Sequence, residues 1–144
     1  MSASTDLGTG STTTASSDSV VLLFARIAIV PLYLYSGIGK VMAFGATAGR
    51  LNAWIDGFGS ALAAGAIAVE LGGGVALLLG LFARQAAVAL ILFTIAATLM
   101  FHNFWAAPEA QLVQQTINFL KNLGLIGALA LIAHRGAGKY ALGS

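Results

Sequence analysis

From residue 20 onward, long apolar stretches follow one another with only isolated charges within and between them. Seven of the 144 residues are Lys or Arg and five are Asp or Glu, 8% in all, while 58% are hydrophobic. A soluble domain carries roughly 25% charged residues, and one of this size has a single core, too small to hide so many apolar side chains. That argues against a soluble globular enzyme. It argues equally against a disordered chain, which needs low hydrophobicity and high charge. The solvent for this surface is lipid. The net charge of +2, without a basic cluster, leaves no nucleic-acid footprint. The chain has no cysteine. Disulfides, thiolate metal sites and thiol redox chemistry drop out, and any redox role needs a cofactor or a partner.

Residues 1–19 are a different material, dominated by Ser, Thr and Gly, with Asp6 and Asp18 the only charges. Such a segment cannot bury enough apolar surface to offset the entropy of ordering it, so it reads as a disordered tail. No Lys or Arg precedes the first apolar run, which is unlike a signal peptide. Four apolar segments follow, to be compared with the ~20 residues of a spanning helix. They are residues 20–41, interrupted by Arg26 and Pro31; 61–83, with Glu70; 85–101, without charge; and 123–133. The last reaches a full span only when extended back to about Leu112, through Lys121 and Asn118.

The expected fold is therefore all-α: an antiparallel bundle of four transmembrane helices over residues 20–142, behind a disordered N-terminal tail of residues 1–19. The short turn around Ala83 and Arg84 makes segments two and three antiparallel neighbours. Residues 42–60 form the longest loop, with Trp54 and Phe58 suited to the membrane interface. Pro108 and Glu109 read as a helix start, the proline where an N–H would be unpaired and the carboxylate at the positive dipole end. Arg26, Arg84, Arg135 and Lys139 lie toward the side of the two chain ends, and Lys40, Arg50 and Lys121 toward the other, four against three. The positive-inside rule then places the ends in the cytoplasm.

Charged groups within lipid are costly and turn to the bundle interior or a water-filled cavity. Helical spacing groups them into stripes. Arg26, Tyr33, Gly37 and Lys40 share a face in the first helix. Glu70 lies over Ala66 and Gly74 in the second, among small residues that let a neighbour come close. Thr94, Thr98 and His102 step by four in the third. Gln111, Gln115, Asn118 and Asn122 line the fourth, with Lys121 beside them. Turned inward together, the stripes make a polar column crowded toward the non-cytoplasmic end. At ~1.5 Å per residue, Glu70 lies about 13 Å from that end, Lys121 about 9 Å and Arg26 roughly 20 Å. Lys121 is the nearer axial partner for Glu70, with Arg26 still within reach of its long side chain. Each group also has a plainer use. Glu70 can be ion-paired scaffolding, Lys40 and Arg26 can snorkel, His102 can be an interfacial hydrogen-bonding group, and the Asn/Gln stripe can be interhelical glue.

Gly37-Ile38-Gly39-Lys40 ends like a phosphate loop but has the wrong spacing and no preceding strand. Leu71-Gly72-Gly73-Gly74 likewise lacks the strand–turn–helix context of a dinucleotide site. His102 and His134 lie near opposite membrane faces, so no metal site is expected.

Glu70-Leu71-Gly72-Gly73-Gly74, followed by Leu77-Leu78-Leu79-Gly80-Leu81-Phe82-Ala83-Arg84, resembles the second helix of the DoxX family of bacterial membrane proteins. Arg26, Ser36-Gly37-Ile38-Gly39-Lys40, Phe101-His102, Phe119-Leu120-Lys121-Asn122-Leu123 and Gly136-Ala137-Gly138-Lys139-Tyr140-Ala141-Leu142 match in the same order, so the resemblance covers about residues 20–142. It implies a four-helix protein of the cytoplasmic membrane. The family includes a subunit linked to thiosulfate and quinone oxidation, and relatives associated with oxidative-stress complexes.

The column and the resemblance together suggest a small subunit of a redox, quinone-linked process. Its interior would bind a quinone head group or relay a proton. Glu70 would be the proton-carrying or ion-paired centre, Arg26, Lys40 and Lys121 would tune its charge, and His102 would be the shuttle near the surface; Tyr33 and Asn122 lie in the same polar half. Two other uses fit the column: a path for a small solute or proton, and a non-catalytic anchor or scaffold for a protein partner in a membrane complex.

Overall fold

A computed structural model describes residues 10–143, with side chains from Ser17 onward. The first nine residues of the expected tail lie outside the described residues. Helix α1 is Gly10–Met42, so the boundary expected at residue 19 falls inside a helix. Once the apolar span supplies a nucleus, adding turns costs only propagation, and the added turn finds partners. Ser19 is buried, and Asp18 pairs with Arg135 at 2.8 Å.

Residues 42–60, expected as a loop, contain a second helix, α2 (Phe44–Asn52), which buries Thr47 and Leu51 on one face. The spacing of Phe44, Thr47, Ala48 and Leu51 is helical, but Gly45 and Gly49 mask it. The next span is built in three pieces: α3 (Gly59–Ile67), a π turn (Ala68–Gly72) and α4 (Gly73–Leu79). It ends where Gly80 takes a left-handed φ of 73°. There Gly80 N–H donates to Leu77 O and Leu81 N–H to Ala76 O, at 3.1 and 2.9 Å, the paired bonds of a Schellman cap. The chain thus reverses at residues 80–82, earlier than Ala83 and Arg84. Helix α5 (Ala83–Phe101) follows, then a 3-10 turn (Phe104–Ala106) and α6 (Glu109–Arg135). Pro108 does mark the start of α6, accepting a hydrogen bond from Gln111 N–H at 2.8 Å.

Among the described residues, four helical stretches are long and apolar enough to cross a membrane: Ser17–Met42, Gly59–Leu79, Ala83–Ala106 and Glu109–Arg135. They run antiparallel in sequence order. We refer to the end near Ser17 and Arg135 as the base and the end near Lys40 and Glu109 as the rim. Helix α1 packs on α4 and the π turn, α4 on α5, and α5 extensively on α6, while α6 only touches α1. The apolar core includes Leu77, Ala87, Leu90, Leu129 and Ile132, all fully buried. Outside, Phe24, Tyr35, Leu92, Val113 and Leu131 are more than half exposed, the surface expected of helices solvated by lipid.

Close approach of α1 to the π turn depends on one glycine. A Cβ on Gly37 would stand 2.6 Å from Leu71 Cδ2 and 3.3 Å from Glu70 Cβ. The missing side chain brings the two backbones together where Glu70 projects.

Candidate functional site

Arg26 and Lys40 share a stripe of α1, but fourteen residues, or about 21 Å, separate them along the axis. They do different things. Arg26 is 1% exposed. Its Nε donates to Leu77 O (2.8 Å) and its Nη2 to Leu78 O (3.0 Å), at the end of α4. Its Nη1 donates to Ala137 O (2.6 Å) and Tyr140 O (2.9 Å), in the segment after α6. The last carbonyls of a helix lack intrahelical partners and carry the negative end of its dipole. The guanidinium answers both needs and latches the C-terminal segment across the base. Arg26 is therefore not the partner of Glu70.

Neither is Lys121. The cation at Glu70 is Lys40, whose Nζ donates to Glu70 Oε1 at 2.9 Å and lies 2.8 Å from Oε2. Counting Cα depth concealed this pair because side chains lean toward the N-terminus of their own helix. On antiparallel helices, the lean carries Lys40 down from the rim and Glu70 up toward it. Ser36 Oγ, one turn back on α1, accepts a second Lys40 hydrogen bond at 2.7 Å. The ammonium also lies 5.9 Å from the centre of the Phe93 ring, close enough for a cation–π contact.

The pair is unevenly satisfied. Glu70 is 3% exposed and Lys40 26%. Glu70 Oε2 is buried and takes no hydrogen bond among the described residues, although the ammonium lies near it. Lys40 has three N–H donors and uses two of them. The third Lys40 N–H and Glu70 Oε2 thus face each other across 2.8 Å without a well-directed hydrogen bond, and Lys40 is the more exposed of the two. Glu70 also sits in the middle of the π turn. Such turns interrupt α-helices frequently at functional sites. The run of glycines after Glu70 is the sequence signal for this irregularity, and neither the turn nor the part of Ser36 was anticipated.

Two further polar groups line the interior. Thr94 Oγ1 donates to Leu90 O at 2.7 Å. Its one proton is thereby committed, so Tyr33 OH donates to Thr94 Oγ1 across 2.6 Å. One turn on, Thr98 Oγ1 donates to Thr94 O (2.6 Å) and accepts from Asn122 Nδ2 (2.9 Å). Tyr33, Thr94 and Thr98 are all buried. Nearer the rim, His102 Nδ1 and Gln115 Oε1 are 2.9 Å apart; with an amide oxygen opposite, Nδ1 carries the proton and Nε2 is left as acceptor. Above them, Phe104, Trp105 and Phe119 pack edge to face with ring centres 5.2 to 6.0 Å apart.

The inward column expected from all four helices is complete only for the first three. On α6, Gln115 and Asn122 meet α5, whereas Gln111, Gln114 and Lys121 are exposed. Lys121 Nζ donates to Asn118 Oδ1 at 3.3 Å and has no carboxylate partner among the described residues. Adjacent helical residues point about 100° apart. With Asn122 held against Thr98, Lys121 must look elsewhere.

Comparison with known proteins agrees with this architecture. The family model DoxX matches residues 21–103, a stretch that contains Arg26, Tyr33, Lys40, Glu70, Thr94, Thr98 and His102. The inner membrane protein YphA of Escherichia coli is 31% identical over 123 residues, covering 85% of this chain and 88% of its own. The inner membrane protein YqjF of Escherichia coli is 32% identical over 126 residues, covering 87% and 91%. No solved structure matches the chain.

Proposed function

Because the chain belongs to the DoxX family of integral membrane proteins, we propose that it is a small subunit of a redox, quinone-linked process in the inner membrane of a bacterium. The base would face the cytoplasm, following the bias of Lys and Arg toward that side. The Lys40–Glu70 pair would be the point of contact with the quinone head group.

The observation that carries this reading is the buried Lys40–Glu70 pair, whose Oε2 lies 2.8 Å from the ammonium but takes no well-directed hydrogen bond among the described residues. Lys40, the more exposed member of the pair, would turn an N–H to an oxygen of the ring, and the Glu70 carboxylate so released would accept a hydroxyl proton. A bound quinone would supply two-electron, two-proton chemistry, which a chain without cysteine cannot provide itself. The protein side handles the proton alone. Glu70 gains or loses it within a pair that stays buried, and Ser36 and Phe93 keep the ammonium in place. Lys40, one-quarter exposed, opens the pair toward the rim, where His102 presents Nε2.

The test is purification in mild detergent followed by solvent extraction and mass spectrometry for quinone. Wild type is expected to carry it, and Glu70→Gln to carry at least tenfold less while keeping its melting temperature. Absence of quinone from wild type, or equal amounts in the variant, overturns the reading.

A further inference from the structure

Helix α6 is the least covered of the four spans: 11% of its apolar window is buried, against 22% to 28% for the others. One flank packs on α5, and beyond that α6 only touches α1 and the 3-10 turn. Along that second flank, residues 114, 118, 121, 125, 128 and 132 form one stripe by their spacing of three and four. Toward the base the stripe belongs to the core: Ile132 is buried, and Leu125 and Ala128 pack against it. Toward the rim the same stripe is open, with Gln114 and Lys121 exposed and Asn118 half-buried.

The open half lies at membrane depth. Phe119 sits in the aromatic cluster with Phe104 and Trp105, and the tryptophan favours the headgroup level. Lys121 is two residues, or about 3 Å, further in. Its side chain leans back toward the rim, and its ammonium and Gln114 Nε2 both donate to Asn118 Oδ1, each at 3.3 Å, near the level of Phe119.

We infer that this half of α6 is covered by a transmembrane helix of a partner protein, which places a carboxylate opposite Lys121. Charge complementarity names the carboxylate, since this exposed ammonium has none among the described residues and its only hydrogen bond there is to an amide. Amides on successive turns suit interhelical hydrogen bonds, and the stripe is already a packing surface one turn further in. A second copy of this chain fits poorly. A two-fold axis along the stripe would set Lys121 against Lys121. Among the described carboxylates, Glu70 is held by Lys40, Asp18 by Arg135 and Asp56 by Asn52. Glu109 is twelve residues away, about 18 Å along the helix. A lipid headgroup would answer Lys121 alone, whereas amides at Gln114 and Asn118 along one face suit a helix. This inference does not rest on the quinone reading.

The test is site-specific photocrosslinking in the full chain within its native membranes, with benzoylphenylalanine at Gln114 and, as a lipid-facing control, at Leu92. The expected result is a discrete protein adduct from position 114 and none from position 92. Its crosslinked peptide lies in a transmembrane helix with an Asp or Glu within one turn. Lys121→Glu lowers that adduct at least tenfold, and changing the partner's carboxylate to lysine in that background restores it. Should Lys121→Glu not accumulate in the membrane, Lys121→Gln, which removes the charge and keeps the bulk, is expected to lower the adduct several-fold. An adduct only with a second copy, only with phospholipid, none at all, or one that the Lys121 variants leave unchanged overturns the inference.

Discussion

Arg26 and Glu70 are the two charged residues buried in the described bundle, one toward the base and the other toward the rim. Arg26 has no counter-ion among the described residues and needs none. Four of its five N–H donors meet backbone carbonyls from two separate segments, so its charge is spread over the ends of helices. Glu70 has a counter-ion and is less completely bonded: one oxygen accepts a hydrogen bond, and the other has only the nearby ammonium, 2.8 Å away. A saturated buried charge holds a structure together. A partly satisfied one stores unused hydrogen-bonding capacity, and that capacity is what a ligand or a proton can use. Burial alone does not separate the two roles; the donor and acceptor ledger does.

Substitutions can break this contrast. Arg26→Met is expected to have the largest effect, at least about 3 kcal/mol, because it strands several buried carbonyls at once. The measurement is thermal unfolding in detergent, with limited proteolysis after Arg135 reporting release of the C-terminal segment. If Glu70→Gln lowers stability equally, the division between latch and site fails. Next is Lys40→Met, which leaves a buried carboxylate without its cation. A cost of about 2 kcal/mol is expected, below the range for a fully buried pair because Lys40 is partly exposed. Adding Glu70→Gln should recover most of that loss, and a double-mutant cycle measures the coupling. Gly37→Ala is expected to cost about 1 kcal/mol by pushing Leu71 and the π turn away from α1. It sharpens the comparison if quinone retention falls further than stability does. Smallest is Thr98→Val, which removes the acceptor for Asn122; about 0.6 kcal/mol is typical of such bonds between transmembrane helices. Melting curves should show it without loss of the His102–Gln115 contact.

The spans and their order were legible in the sequence because apolar length is a strong signal and lipid leaves helices little alternative. So was the start of α6, since proline and an acidic residue have positional meaning at a helix end. What failed was pairing by depth. Cα positions along an axis placed Arg26 and Lys121 nearest Glu70, whereas side-chain lean on antiparallel helices selected Lys40. The assumption that every polar stripe turns inward failed on α6, whose polar residues extend around too much of the helix to fit one seam. Helix α2 was hidden by glycines that weaken a helical pattern without preventing it once α3 packs on it.

The π turn carries one residue more per turn than an α-helix, so it acts as a rotational offset within a single span. Residues before Ala68 and after Gly72 are phased independently, the first part set against α2 and the second against α1 and α5. Removing one residue between them would re-phase Glu70 while leaving each half its own complement of contacts. The bundle thus separates the coordinates of its buried carboxylate from those of its scaffold. For such a site, a change in chain length is a more direct editor than a change in residue type.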